Sequence, residues 1–173
     1  DSFVWTFTDH NNSYYGTCFA FMINSSTSIA EGSKTVFYSG NASYVASSYD
    51  TNAAKTMIIH RTYSAPNAQF KAIVGTEASF SVSFGSATDL TTAASASGSN
   101  YVGTVYDSSA QKHFMFYVEQ YVYKGLVGTI SGTSVSVGTA ADLNQGDGAS
   151  NVADYPLLGY DPDTNKVIMW VRS

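Results

Sequence analysis

Charge is scarce in this chain. Only 12% of its 173 residues are Asp, Glu, Lys or Arg, and the eight Lys and Arg leave a net charge of −5. Surface helices need charged residues on their wet faces, and nucleic-acid partners need a basic stripe, so neither is expected. Cysteine occurs once, at Cys18, which excludes an internal disulfide framework and says nothing of the compartment. No apolar run approaches the roughly 20 residues that span a bilayer, and the amino terminus lacks the charged-then-apolar pattern of a secretory signal. Membrane insertion is not expected. What is abundant is Ser, Thr, Gly, Ala and Tyr, the composition of strands and turns.

A phrase recurs three times: Tyr49-Asp50 with Lys55, Tyr106-Asp107 with Lys112, and Tyr160-Asp161 with Lys166, each followed by an apolar run. A second phrase fixes the period, because ten of the eighteen positions from Ile73 to Leu90 match those from Leu126 to Leu143. The chain is therefore a tandem repeat of about 55 residues, read one unit at a time. The units are residues 1–41, holding strands two to four of a first repeat; 42–95, a second; 96–151, a third; and 152–173, which starts a fourth with strands one and two.

The third unit is the clearest. Tyr101 to Tyr106 alternates, His113 to Val118 is almost wholly apolar, Tyr121 to Ile130 is mixed, and Ser134 to Val137 alternates again after the hairpin chemistry of Ser131-Gly132-Thr133. This predicts four short antiparallel strands. A strand apolar on both faces, such as Phe114 to Val118, must be covered above and below, which stacked four-stranded sheets provide. Trp5, Ile59, Phe116 and Trp170 align in one column, spaced 54, 57 and 54 residues, and read as one core position seen four times. Phe3, Val4 and Trp5 at one end copy Val167, Ile168, Met169 and Trp170 at the other. Both segments cannot fill one slot, and three units are too few to close a propeller ring. A stretch cut from a longer array, or exchange of terminal strands between chains, is expected.

The runs Tyr160 to Trp170 and Val127 to Thr139 resemble repeat regions of tail-fibre and other surface proteins of tailed phages. The likeness extends over nearly the whole chain. It implies an all-β fold of tandem four-stranded antiparallel units, similar to β-propeller blades and open at both ends. It also implies a display or attachment role on a virion or extracellular surface. Catalytic residues are not part of that pattern.

The candidate residues divide by chemistry. Asp50, Asp107 and Asp161 suit turns, where a carboxylate accepts backbone N–H groups, with Tyr49, Tyr106 and Tyr160 anchoring the preceding strands. The Lys five residues on could pair with each Asp across the hairpin. Asp161, Asp163 and Asn165 alternate like the start of a calcium loop, but Pro162 interrupts them and no Gly or distal Glu completes it. Asp147 and Asp154 read as linker. His10, His60 and His113 fall at different phases of the repeat, which does not suggest a zinc site or a Ser-His-Asp triad, and no motif unites Glu31, Glu77 and Glu119 as paired acids. Neither metal nor cofactor is expected. Tyr14, Tyr15, Tyr63, Tyr121 and Tyr123 sit at strand ends or loops and suit sugar faces or partner subunits. Sequons at Asn11, Asn24 and Asn41 offer glycosylation sites. The expected function is a non-enzymatic structural or attachment protein that self-assembles or meets neighbouring repeats. The alternatives are a glycan-binding module for cell-surface polysaccharide and a polysaccharide hydrolase.

Overall fold

The structure, a computed structural model, describes residues 2–25, 28–63, 68–91, 101–119, 121–143 and 156–170. Every regular element among them is a strand and every pairing is antiparallel, so the chain is all-β. The Gly146–Asp154 linker lies outside the described residues.

The first sheet holds β1 (Ser2–Asp9), β2 (Tyr15–Ser25), β3 (Ser28–Glu31), β4 (Thr35–Asp50), β5 (Lys55–Thr62), β6 (Gln69–Ala78), β7 (Ser81–Phe84) and β8 (Thr88–Asp89). Its order is β1-β2-β4-β5-β6-β7, with β3 also on β2 and β8 also on β6. The second sheet is β9 (Val102–Asp107), β10 (Lys112–Glu119), β11 (Val122–Ser131) and β12 (Ser134–Val137), in the order β12-β11-β10-β9, with β13 (Ala141–Asp142) on β11. A third pairs β14 (Leu157–Asp161) with β15 (Lys166–Trp170).

β4 passes the boundary between residues 41 and 42 without a break, pairing with β2 before it and β5 after it. A register shift lies just beyond, between Ser43 and Ala46, where Tyr44 takes a left-handed φ of 50°. Such a bulge bends and twists its strand. The first sheet therefore curls, and β1 comes to lie over β4: Thr6 Oγ1 donates to Ser47 Oγ at 3.1 Å and Thr8 Oγ1 to the Ala42 carbonyl at 2.9 Å.

Three apolar layers result. Cys18, Ala20 and Phe37 pack on Ile58, Ile73 and Val82. On the other side of β5 and β6, Met57, Ile59, Phe70, Ala72 and Val74 meet Met115, Tyr117, Leu126, Ile130 and Val135 of the second sheet. Beyond that, Phe116, Val118 and Tyr123 receive Leu158 and Met169 of the third. β5 and β10 are apolar on both faces because each lies between two such layers.

The column of four core residues needs correction. Ile59 and Phe116 are fully buried, but Trp5 is 59% and Trp170 is 55% exposed. Trp170 follows the column and faces out because nothing among the described residues covers the far side of the third sheet. Trp5 is in a different column. The Gly32 amide donates to the Ala20 carbonyl as Gly85 does to Val74 and Gly138 to Val127. Ala20, Val74 and Val127 then pair with Val4, Met57 and Phe114. Trp5 therefore corresponds to Ile58 and Met115, one residue off the alignment that sequence suggests. In a strand one residue is one face, so Phe3, Trp5 and Phe7 turn outward while Val4 turns in.

Candidate functional site

The three Tyr-Asp turns are built alike. Asp50 Oδ1 accepts from the amides of Asn52 and Ala53 at 2.9 and 2.8 Å, and Asp107 Oδ1 from Ser109 and Ala110 at the same distances. Asp161 Oδ1 accepts from Asp163 and Thr164 amides, and its Oδ2 from the Thr164 hydroxyl at 2.6 Å. The Thr164 hydroxyl, then the Asp163 amide, hold the Asp161 carboxyl below its ordinary pKa. Each carboxylate is committed to its own turn. Two of the lysines go elsewhere: Lys55 Nζ donates to Thr76 Oγ1 at 2.9 Å and Lys112 Nζ to Thr129 Oγ1 at 2.8 Å. The tyrosines differ by layer. Tyr49 is exposed, Tyr106 is buried, and Tyr160 is half-buried with its hydroxyl on Asn165 Oδ1. Cross-strand ion pairs that sequence reading missed join Lys71 to Asp89 and Lys124 to Asp142, 53 residues apart.

One convergence of His, Asp and Ser does occur, across the seam between the first two sheets. His113 Nδ1 shares a hydrogen bond with Ser48 Oγ at 2.9 Å, and His113 Nε2 lies 3.4 Å from Asp50 Oδ2. Ser48 Oγ also meets Thr104 Oγ1 at 2.9 Å. His113 is fully buried, and burial lowers its pKa against the opposing pull of Asp50. A nucleophile needs an open approach and a base free to take its proton. Here the imidazole is enclosed and the carboxylate already holds a turn, so the cluster ties β4 to β9 and β10. His60 is equally enclosed, its ring 5.3 Å from Phe37 and 5.0 Å from Tyr38, and neither nitrogen has a partner among the described residues. Burial, then Lys71, pushes its pKa down to about 4.

The outward face of β1 and β2 is different in kind. Phe3 stacks on Phe21 at 5.2 Å and Trp5 on Phe19 at 6.2 Å, while Phe7 meets Phe19 edge-on at 6.1 Å. Lys34 Nζ stands 5.3 Å from the Phe7 ring and pairs with Asp9 at 3.1 Å. Phe7, Phe19 and Phe21 went unnoticed in sequence, although Phe3-x-Trp5-x-Phe7 and Phe19-x-Phe21 carry the period of two that puts rings on one face. Beside this face a groove follows the edge of β1 that no strand among the described residues pairs with. One part, 640 Å³, is bounded by Ser2, Phe3, Val4, Tyr49, Lys55 and Glu77; the other, 420 Å³, by Val4, Trp5, Thr6, Val45 and Ser47.

The other candidates are dispersed. Tyr14 is exposed in a turn with its ring 4.8 Å from His10, and Tyr15 is half-buried at the start of β2. Tyr63 is exposed under the Arg61 guanidinium, 5.4 Å away. Tyr121 is exposed with a left-handed φ of 63°, whereas Tyr123 is buried 6.1 Å from Phe116, so these two form no shared platform. Asn11 and Asn24 are exposed, and Asn41 is half-buried inside β4. Of the assembly strands, Val4 and Met169 turn into the core, leaving Phe3, Trp5, Ile168 and Trp170 at the surface. Glu31, Glu77 and Glu119 are spread over β3, β6 and β10, and among the described residues no three metal-ligating side chains gather. Comparison of the chain with protein-family models, with curated proteins and with solved structures found no match.

Proposed function

We propose that this chain is a non-enzymatic structural and attachment module of a fibre or filament, extracellular or on a virion surface, whose units are propeller-like blades that continue onto further copies. One observation carries the reading. At both inner seams, the Ile59 side of one layer is covered by the Ile58-type side of the next, Met115 on the first sheet and Met169 on the second. The two outermost faces are one of each kind. Among the described residues no layer covers the Ile58-type face formed by exposed Phe3 and Trp5 with half-buried Phe7, Phe19 and Phe21, or the Ile59-type face of Ile168 and Trp170. Complementary ends make a heterologous contact, which propagates head to tail unless its rotation closes a ring. A contiguous patch of surface aromatic rings is suited to an interaction site.

Light scattering over a concentration series tests it. The mean mass should rise with concentration, and Trp5→Lys, which places a charge on the end face, should keep the chain monomeric and folded. A Trp5→Lys protein that assembles like the parent would end the reading. The second reading, a glycan-binding module, is favoured by the accessible rings beside a groove lined by Tyr49 and Lys55, with Glu77 engaged by the Ser2 hydroxyl and the Phe80 amide. Reproducible glycan-array binding lost in Tyr49→Ala or Trp5→Ala, with no self-association, would select it.

A further inference from the structure

We infer that the groove along β1, which no strand among the described residues fills, is a strand position that a second copy of this chain takes with its β14. The inference rests on the assembly reading and names the segment that joins two copies. β5, β10 and β15 are each flanked on one side by a strand ending in Tyr-Asp: the second half of β4, then β9 and β14. The register is constant. Tyr49 faces Thr56, Tyr106 faces His113 and Tyr160 faces Val167, with each Asp facing a Lys.

β1 is the same strand of its own unit, since Val4 holds the place of Met57 and Phe114. It has β2 on one side, and among the described residues no strand pairs with its other edge. Carrying the register over, Asp161 would face Ser2, Tyr160 Phe3, Gly159 Val4, Leu158 Trp5 and Leu157 Thr6. Those five acceptor residues are the ones on the β1 side of the groove. A five-residue strand runs about 17 Å, and the two parts of the groove meet at Phe3, Val4 and Ser47 to receive it.

β14 is a suitable donor. It belongs to a two-stranded sheet, which is marginal alone, and its Leu157 is 67% exposed. Leaving β15 for β1 exchanges one set of main-chain hydrogen bonds for another in the same register. It also sets the aromatic face of the incoming copy on Phe116, Val118 and Tyr123 in place of Met169, so in the exchanged form that face meets the Ile59-type side of the second sheet rather than Ile168 and Trp170 of β15. That is exchange of an equivalent element between copies.

The test mixes two single variants, Thr6→Cys and Leu157→Cys, under mild oxidation. Opposed residues on paired antiparallel strands have Cα atoms about 4.5–5.5 Å apart, within the roughly 4.4–6.8 Å that a disulfide spans. The native Cys18 is buried with its thiol pushed up to about 12, so it stays silent. A disulfide-linked heterodimer is expected in several-fold excess over either homodimer, and lost when a peptide of residues 156–162 is added in excess. The same peptide, but not its scrambled form, should change the fluorescence of the parent protein, which needs no variant to fold. Assembly by light scattering without the heterodimer, and without a response to the peptide, overturns the strand position and leaves the assembly reading standing. A chain that is monomeric at every concentration overturns both.

Discussion

Phe116→Ala should cost about 3–5 kcal/mol in a urea titration, while Trp170→Ala, at the same place in the next unit, should cost less than about 1 kcal/mol. The two rings differ in what covers them. Phe116 is fully buried between the second and third sheets, and a Cβ at Gly103 would stand 2.1 Å from its ring, so the glycine leaves the room the ring fills. Removing the ring leaves a cavity flanked by Val118 and Tyr123 that the sheets cannot close without shifting. Trp170 rests on one sheet with its other side open, so its truncation returns little surface to water. A domain of this size is stable by only about 5–15 kcal/mol, so the first change should bring the folded state near its limit. Equal costs at the two positions would mean that the layers do not pack as described.

Acid should unfold the protein through His60. Its ordinary pKa of 6.5 falls to about 4 in the folded chain, because burial and then Lys71 oppose the charge. Between those two pH values the unfolded chain holds a proton that the folded chain does not, so each step down in pH favours unfolding. The stability lost from pH 6.5 to pH 4 is on the order of 3 kcal/mol for this group. His113 acts in the same direction, with Asp50 opposing the shift. Since neither His60 nitrogen has a partner among the described residues, His60→Leu leaves no polar group stranded. That variant should match or exceed the parent near neutral pH and lose most of the slope between pH 6.5 and 4. An unchanged slope would place the acid sensitivity elsewhere.

How far the sequence discloses this molecule depends on which interactions are local. The Tyr-Asp turns were legible because Asp50, Asp107 and Asp161 bind amides two and three residues away. The apolar runs of β5 and β10 announced strands covered on both faces. The parity of β1 was hidden because matching Trp5 to Ile59 and Phe116 by ring and size hides a slip of one residue, and the strand's period of two turns that slip into the opposite face. The curl of the first sheet arises where β4 serves two neighbours. Fourteen residues separate Val36 from Asp50, against eighteen between Asp89 and Asp107 and nineteen between Asp142 and Asp161, so the first connection is taut enough to be one strand. Ser48, Asp50 and His113 lie apart in the repeat and meet only because the second sheet packs on the first. The groove exists only through that same tertiary arrangement.

The chain's two tryptophans, Trp5 and Trp170, occupy the two end faces, so their fluorescence reports on the central claim without any substitution. Dilute protein should emit like indole in water and be readily quenched by acrylamide. Raising the concentration should move the emission to the blue and protect Trp5, the ring buried both by a direct end-to-end contact and by exchange of β14, as copies join. Emission that stays water-like and fully quenchable at every concentration, or that is already blue and protected in the dilute chain, would contradict it.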